Sequence, residues 1–533
     1  MRFLPMQKTI VSTRGFSGLS RWIYLLGLLG FFSSLCGAQG QKPLDNSGLI
    51  PKLLPDAQVR MEGASPDWVK TLIMAEVRLE TATPEGTFAA ATKVLDHYAE
   101  MGVNGLWITP IYERGPNGIG YGNFGPEILY PSLVGTKGVA DPFGEAKKFV
   151  TEAHKRNIRV LFDIVVWGTN MDAPLVSAHP EFYTRKNGDF VKVWGGYQFN
   201  WESKALRSWF SGAAVKFIEK TGADGFRVDL APNCSGYYFK EIRDALYAKG
   251  RKIAIISEIN NSRRDTFDFE QVGVNGWTEN PDYGHPDKLK EQKQRFGTHA
   301  DYLFHNNLVD VIRTGRGIGD AKMQQEGRGG TFRFYTSNLL NHDDHEPFVT
   351  GNRVRFAYAS IFAPFIPLWW IGEEWNNPKK PLPKSGGVLY FNLIDWTQLP
   401  LNQAFYEDAK KYIQIRRSYP EIFEYFPENA RNANIAKLAT TKNGAPNKLQ
   451  AYARFAKGRA VLVVPNDESA GSAQFQIAPD YAALGLNPLS TYKIIDLMTG
   501  QVLAPGAGQP SNPKSFTVKI EAKHLGIYFL EKQ

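Results

Sequence analysis

The feature that most constrains this chain is an alternation of short, continuous apolar runs with longer amphipathic stretches over about three hundred residues. A parallel strand that is covered on both faces has no polar alternation, and it returns to the sheet through a helix. Seven such runs are predicted to be strands, at 71–79, 105–111, 160–166, 225–231, 253–259, 332–340 and 366–374, and a weaker eighth is predicted near 272–279. Seven or eight βα units favour a closed (β/α)₈ barrel over an open sheet.

Helices are predicted between these runs, because apolar residues recur at the three-to-four spacing of a face that packs on a sheet. Such stripes occupy 143–153 and 206–217, and a helix over 405–417 is predicted to complete the barrel. From about Asn434 strands and turns replace the helices, which indicates a separate antiparallel β-sandwich. The predicted fold class is therefore α/β, with a barrel over 67–430 and a sandwich over 434–533.

The first residues are typical of an export signal. No acidic residue precedes Asp45, and a basic start is followed by an apolar stretch at 22–32. That stretch is too short to span a bilayer permanently, and small residues follow it, so we expect a signal peptide at 1–38 with cleavage after Ala38. The expected location of the mature chain is secreted or periplasmic, without a membrane partner.

Two further points concern this leader. A lipoprotein anchor at Cys36 is the alternative to cleavage, but Leu35 stands where a small residue is normally needed. Residues 39–66 form a polar lead-in to the barrel. Four of the nine excess positive charges lie within the leader, and the other basic residues are interspersed with acids, so nucleic acid is excluded as a partner. The sequence predicts no oligomeric state.

Polar residues stand at or just past the ends of several predicted strands. A (β/α)₈ barrel collects its chemistry at these ends, and carboxylates are rarely buried unpaired, so the group indicates one shared site. Three acids there suit cleavage of a glycosidic bond, with a nucleophile, a proton donor and a group that holds the sugar; the same set could also bind a divalent metal. The residues are Asp163, Arg227, Asp229, Glu258, His342 and Asp343.

Three motifs resemble the α-amylase superfamily of glycoside hydrolases, and the resemblance extends from about residue 72 to the C-terminus. GFRVDLAPN is similar to the family's Arg-x-Asp strand, which implies Asp229 as the nucleophile and Arg227 as its partner in the substrate site. IISEIN implies Glu258 as the general acid/base. LLNHDD implies Asp343 as the third catalytic acid, which grips substrate hydroxyls, and His342 as a contact to the same sugar.

Further matches fill in the rest of the family pattern. GIGYG places Tyr121 where a tyrosine stacks on the cleaved sugar, DIVV places Asp163 where the family has a mainly structural acid, and IPLWWIGEEW resembles the last barrel strand. The segment at about 167–201 resembles a short inserted domain B, and the sandwich resembles domain C. The family implies a retaining mechanism through a covalent glycosyl-enzyme intermediate.

The expected chemistry also has a physical basis. An arginine two residues from Asp229 on one strand points to the same side, which lowers the pKa of Asp229 and keeps it ionised for attack. Glu258 must donate a proton, so its pKa has to be raised, and a nearby ionised Asp229 raises it by repulsion between like charges.

Departures from the family pattern limit what the resemblance implies. Trp167 and Gly168 stand where the first motif usually continues to Asn and His, so a usual calcium ligand is not retained. We therefore predict no cofactor and no metal ligands, with calcium kept as an alternative. Pro232 and Asn233 replace the Lys and His that follow the nucleophile in many members, which predicts a preference for short α-glucosides unless loops of the insertion supply the lost contacts. Trp167 itself either lines the pocket or packs under the insertion.

The sequence thus predicts a secreted retaining α-glycosidase that hydrolyses, or transfers, α-glucosidic bonds in oligo- or polysaccharides. One alternative is a disaccharide-isomerising or transglycosylating enzyme of the same superfamily. Another is a non-catalytic carbohydrate-binding or assembly module, since folds persist after chemistry is lost. The expected partner in the leading hypothesis is an α-linked glucan or oligosaccharide.

Overall fold

The fold was analysed in a computed structural model of the chain. The structure describes the residues in the following ranges: 66, 68, 71–115, 120–134, 141–229, 236–259, 301–305, 336–339, 353–354, 356, 366–378, 392–423, 435–447, 449, 451–466, 471–503 and 514–533. The predicted signal peptide, Cys36 and nearly all of the lead-in lie outside these residues. No helix among the described residues is long and apolar enough to cross a membrane.

Eight parallel strands form a closed barrel, as the fold class predicted. Around the barrel the order is β1-β8-β7-β6-β5-β4-β3-β2, so strands adjacent in the chain are adjacent in space. The strands are β1 (Met74–Val77), β2 (Gly105–Ile108), β3 (Arg159–Val165), β4 (Gly225–Asp229), β5 (Ala254–Ile259), β6 (Asp301–His305), β7 (Thr336–Leu339) and β8 (Ile366–Trp370).

The strand between β5 and β7 differs from the predicted one. The predicted eighth strand near 272–279 lies outside the described residues, and β6 at Asp301–His305 fills the place between β5 and β7. Its sequence DYLFH is short and begins and ends with polar residues, so it lacks the continuous apolar run by which the other strands were found. Pairing with a neighbour on each side stabilises it without such a run.

The helices that surround the sheet begin and end close to the predicted stripes. Two long helices are capped at their first turn, by Thr87 accepting a hydrogen bond from Ala90 N and by Ser203 accepting one from Leu206 N. Such caps stabilise a helix by about 1 kcal/mol. The helices are α1 (Leu79–Ala82), α2 (Phe88–Met101), α3 (Pro142–Lys155), α4 (Pro174–Ala178), α5 (Lys204–Thr221), α6 (Gly236–Tyr247), α7 (Gln398–Leu401), α8 (Gln403–Ser418) and α9 (Pro420–Phe423).

A buried carboxylate joins the end of β8 to the outer helices. Glu374 accepts hydrogen bonds from Trp369 Nε1 at 3.1 Å and from Gly372 N at 2.8 Å, and its other oxygen lies 3.0 Å from Nε2 of His97 on α2. Tyr406 of α8 stacks on the His97 ring at 5.0 Å. These contacts fix the turn that follows the last strand to two helices of the outer layer.

The barrel interior is layered, and the layering positions the site. Side chains alternate across each strand, so one set points outward to the helices and the other points inward. The inward set forms a small apolar cluster of Leu72, Met74, Trp107, Leu161, Ala254, Ile256 and Leu368. Asp163 comes two residues after Leu161 of this cluster, and Arg227 is opposite Ile256 on the neighbouring strand. Both are buried, so charged groups lie directly on an apolar layer.

Between β3 and α5, where a short insertion was predicted at about 167–201, the chain forms several short antiparallel strands. Strands Gly168–Asn170, Gly196–Gln198 and Lys192–Val193 form one antiparallel sheet in that order. Arg185–Lys186 pairs with Asp189–Phe190 in a second hairpin. Trp201 lies at the end of the insertion. Its Nε1 donates to Val166 O at 2.9 Å, which ties the end of the insertion to its start beside β3.

The C-terminal strands are all antiparallel, and β9 belongs to two layers. Residues 435–438 of β9 pair with β11 and residues 439–442 pair with β13, and Leu438 of β9 lies in one core with side chains of both partner strands. This strand was not predicted. The strands are β9 (Ile435–Lys442), β10 (Ala445–Pro446), β11 (Ala451–Ala456), β12 (Arg459–Asn466), β13 (Ala473–Ala478), β14 (Tyr492–Asp496), β15 (Val502–Leu503), β16 (Phe516–Ile520) and β17 (His524–Lys532).

Buried arginines join this domain to the barrel helices. Arg454 on β11 has no exposed surface, donates to Ile422 O and lies 5.4 Å from the Phe423 ring. Arg416 on α8 donates to Phe423 O at 3.2 Å. Two cations thus satisfy the carbonyls at the C-terminal end of α9, where the helix dipole favours positive charge. Burial, together with repulsion from Arg416, holds the pKa of Arg454 well below its usual range.

Candidate active site

Strand register brings the predicted site residues together at the carboxyl ends of β3, β4 and β5. Asp163 on β3 is opposite Arg227 on β4, and Val165 is opposite Asp229. On the other side of β4, Ser257 is opposite Val228. Continuing that register by one residue places the backbone of Glu258 beside that of Asp229. The side chain of Glu258 is outside what the structure describes.

One nitrogen of Arg227 binds both buried aspartates. Nη1 donates to Asp163 Oδ2 at 2.8 Å and to Asp229 Oδ1 at 3.0 Å. A charge-assisted hydrogen bond is about twice as strong as a neutral one, and a guanidinium offers its donors in a fixed plane. Arg227 therefore fixes the position of the Asp229 carboxylate and neutralises much of the repulsion between the two acids.

Trp107 supports this ion cluster from the neighbouring strand. Its Nε1 donates to Asp163 Oδ2 at 3.0 Å, and the Arg227 guanidinium lies over its ring at 4.4 Å from the centroid. The indole thus contributes a hydrogen bond to the anion and a cation–π contact to the cation. The Tyr112 hydroxyl donates to Asp163 O. Burial, and to a lesser extent the nearby charge of Asp163, raises the pKa of Tyr112 well above its usual value.

Exposure distinguishes the two aspartates. The side chain of Asp163 is 0% exposed and that of Asp229 is 9% exposed. Asp163 is therefore held inside the barrel, as the prediction of a structural acid requires, whereas Asp229 is the member of the cluster that solvent or substrate can reach. Leaving either acid buried without Arg227 would cost about 3–5 kcal/mol.

The predicted stacking residue Tyr121 lies next to this cluster. Its hydroxyl is 3.4 Å from Asp163 Oδ2, and its ring centroid is 5.7 Å from the Arg227 guanidinium. Asn123 donates its side-chain amide to Tyr121 O at 3.2 Å and accepts from Gly125 N at 2.8 Å. These bonds hold the loop that carries the ring beside the aspartates.

Two glycines allow this loop its close approach. Gly120 has φ +108°, and a Cβ there would lie 2.9 Å from Arg78 Nη1; a Cβ on Gly122 would lie 2.4 Å from Asn170 Oδ1. Arg78 and Asn170 thus pack against the glycines on either side of Tyr121, in the space that a Cβ atom would need. The contact with Asn170 leaves no room for a side chain at position 122.

Arg78 is itself part of a charge cluster behind the loop. Glu80 forms ion pairs with both Arg78 and Arg114, and the Arg114 guanidinium lies over the Tyr130 ring at 4.1 Å. Burial, together with the nearby Arg78 charge, lowers the pKa of Arg114. The cluster gives Arg78 a fixed position against Gly120.

The two alternatives for Trp167 are resolved in favour of packing. Trp167 is 3% exposed, and a Cβ on Gly196 would lie 2.8 Å from its Cη2. Its carbonyl accepts from Phe199 N at 3.0 Å. Trp167 therefore lies beneath the inserted hairpin and presents neither an oxygen ligand nor an exposed face. Gly168 lets the hairpin approach, since a Cβ there would lie 2.0 Å from Tyr197 O.

The remaining predicted residues have no described position. His342 and Asp343, as well as Pro232 and Asn233, lie outside the described residues, although β7 ends at Leu339, three residues before His342. In the part of the chain that the structure describes, no group of three or more His, Cys, Asp or Glu side chains could hold a metal ion.

Sequence reasoning missed the contribution of Trp107 and of the Arg78 cluster. Both residues lie in runs that were predicted to be strands, so the position of Trp107 on the inward face of β2 was available from side-chain alternation. Trp107, however, bonds Asp163 of the next βα unit, and the Arg78 cluster includes Arg114 from the loop after β2, so no local pattern indicates these contacts.

Comparison with known protein families agrees with the predicted resemblance. The model of the α-amylase catalytic domain matches residues 61–196. A malto-oligosyltrehalose trehalohydrolase from Arthrobacter ramosus is 24% identical over 501 residues, which cover 84% of this chain and 83% of that protein. The corresponding enzyme from Saccharolobus solfataricus is 24% identical over 341 residues, and there the chain spans 57% of the relative's length.

Solved structures share the fold. An α-amylase from Geobacillus thermoleovorans has a TM-score of 0.63 at 15% identity, and the match covers 87% of this chain and 99% of that one. The maltogenic α-amylase AmyB from Thermotoga neapolitana has a TM-score of 0.62 at 20% identity, with the same coverage of 87% and 99%. Together with the sequence relatives, they confirm the resemblance to the α-amylase superfamily and agree with an enzyme that acts on O-glycosyl bonds.

The contact between Gly120 and Arg78 predicts that this glycine matters for activity more than for folding. Gly120→Ala forces a Cβ against Arg78 and should move Tyr121, so we expect kcat/KM on an α-glucan to fall about tenfold or more, equivalent to about 1.4 kcal/mol. Gly188→Ala is the matched control, because Gly188 also has positive φ, at 91°, but nothing lies within 4 Å of its missing Cβ. Equal activity in the two variants would contradict the positioning role.

Proposed function

We propose, taking its membership of the α-amylase superfamily as the premise, that this chain is an enzyme that cleaves or transfers α-glucosidic bonds in oligo- or polysaccharides with retention of configuration. The observation that carries the proposal is the cluster at the barrel mouth. Arg227 holds Asp229 by an Nη1 to Oδ1 bond of 3.0 Å, and the strand that bears Glu258 is next to it.

In the proposed mechanism Asp229 attacks the anomeric carbon and Glu258 protonates the departing glycosidic oxygen. The C–O bond to the leaving sugar breaks as the bond to Asp229 forms, which gives a covalent glycosyl-enzyme intermediate. Glu258 then takes a proton from the acceptor, which attacks the same carbon and releases Asp229. Tyr121 stacks on the sugar, while the resemblance assigns Asp343 and His342 to its hydroxyls.

The geometry of three charged residues, Arg227, Asp163 and Asp229, supports the proposed roles. The cation of Arg227 favours the anionic form of Asp229, which the attack requires. The full burial of Asp163 fits a residue that orients Arg227 and does not touch the substrate. Asp229 keeps a 9% exposed side chain, the access that a nucleophile needs.

The acceptor decides between hydrolysis and transfer. Water gives hydrolysis and a sugar hydroxyl gives a new glycoside, and both follow from the same acids. Relatives of this chain include the trehalohydrolases and an α-1,4-glucan:maltose-1-phosphate maltosyltransferase from Corynebacterium glutamicum, 22% identical over 463 residues. We propose that the enzyme acts outside the cytoplasm, because residues 1–38 are typical of a cleaved signal peptide.

If Asp229 is the nucleophile, the first-formed sugar keeps the α configuration. Proton NMR during the first minutes of maltotriose cleavage should show the α-anomeric signal before mutarotation produces the β form. Asp229→Asn should abolish turnover, because an amide does not form the intermediate. A β product from the native enzyme would overturn the double-displacement mechanism.

Glu258 is expected to act as the proton donor and acceptor. Glu258→Gln should lower kcat/KM on maltotriose about 10²- to 10⁴-fold, the usual contribution of general acid catalysis. Formation of the intermediate from an activated aryl α-glucoside should be much less affected, because that leaving group departs without protonation. An equal loss on both substrates would argue against the role.

We propose that the enzyme needs no calcium. The position that usually supplies a ligand is the buried indole of Trp167, and the Asn170 side chain lies against Gly122. The described residues thus do not fit a calcium site at the start of the insertion. The Tm should be the same after dialysis against a chelator as before it, and a fall in Tm that added calcium reverses would contradict this.

A further inference from the structure

An exposed tryptophan stands at the tip of the inserted hairpin. Trp194 is 59% exposed, and it occupies the turn between strands Lys192–Val193 and Gly196–Gln198. Its φ of 43° lies in the left-handed region, where a bulky side chain is uncommon. A large apolar ring that is mostly in solvent, on a backbone that disfavours it, is not what the turn requires.

Other hairpins of this chain show how the same turn is built without such a residue. Four two-residue hairpin loops among the described residues have positive φ at both positions, the arrangement that favours Asn-Gly. Two are Asn187-Gly188 and Asn443-Gly444, and a third is Lys457-Gly458. Only the fourth, Trp194-Gly195, has an aromatic residue at the first position. The turn itself therefore does not explain Trp194.

The Trp194 ring contacts Trp167, which follows the end of β3 at the barrel mouth. Its centroid is 5.6 Å from that of Trp167, and the two rings meet edge to face. Trp167 is buried under the hairpin and follows Val165, the residue opposite Asp229, by two positions. Trp194 thus stands on a rigid base that begins at the barrel mouth, and one side of its indole remains in solvent.

We propose that Trp194 is a stacking platform for a glucosyl unit of an α-glucan chain bound beyond the cleaved bond. An indole face suits the apolar C–H face of a pyranose, and it binds a neutral sugar without any charged partner. The proposal rests on the proposed function and deepens it. Pro232 and Asn233 stand where many members of the family have Lys and His. In this proposal a residue of the insertion, Trp194, supplies a substrate contact in their place.

The substitution Trp194→Asn separates binding from folding, because it introduces the residue that the chain uses at two of the other three such hairpins. Binding is measured by isothermal titration in the inactive Asp229→Asn protein, with maltoheptaose and maltotriose as probes. We expect Trp194→Asn to weaken maltoheptaose binding about three- to tenfold and maltotriose binding less, with Tm unchanged or raised. Trp194→Tyr, which keeps an aromatic face, should recover most of the affinity.

Lys457→Asn is the matched control. It makes the same change at the same kind of turn in the C-terminal domain, so it should leave both affinities and the activity of the otherwise native enzyme unchanged. Unchanged maltoheptaose affinity in Trp194→Asn, with a native enzyme that cleaves maltoheptaose, overturns the platform but not the proposed function. A lower Tm with unchanged affinity assigns Trp194 to packing. A native enzyme that neither binds nor cleaves either sugar overturns the proposed function and this inference with it.

Discussion

A single guanidinium nitrogen keeps two carboxylates together inside the barrel. Nη1 of Arg227 lies 2.8 Å from Asp163 and 3.0 Å from Asp229, and without it the two anions would repel one another in a medium of low dielectric. The aromatic ring of Trp107, the closed sheet and the apolar layer below all serve to hold this arrangement. Because the arrangement is buried and paired, the protein keeps a partly exposed carboxylate at the barrel mouth without an uncompensated charge in its core.

Alternation along the strands could be predicted from sequence, and it accounts for most of the fold. Continuous apolar runs located seven of the eight barrel strands, and the polar residues at their ends predicted that Arg227 and Asp229 lie together at the barrel mouth. β6 at Asp301–His305 was missed, because a strand paired on both sides can form without an apolar run. β9 was missed for a different reason: its sequence IAKLATTK mixes small and charged residues, and its two halves pair with different partners.

Contacts between the loops of neighbouring βα units could not be predicted, because they join segments that are separated by about forty to fifty residues in the chain. Asn170 fills the space beside Gly122, and Arg78 fills that beside Gly120, so the position of Tyr121 depends on two segments that share no local pattern with it. The sequence likewise left Trp167 between two roles. Its burial follows from the approach of the hairpin at Gly196, which only the folded insertion reveals.

The buried arginine between the barrel and the C-terminal strands has a consequence for how such proteins diversify. Arg454 has no exposed surface, and its hydrogen bond ends on a carbonyl of α9, a helix that belongs to the preceding polypeptide. A recombination event that exchanged only the strands after residue 434 would leave that carbonyl without its donor unless the incoming strands carried an arginine at the same position. Exchange between relatives should therefore be tolerated best when the crossover lies upstream of α9, so that the helix and the arginine are inherited together.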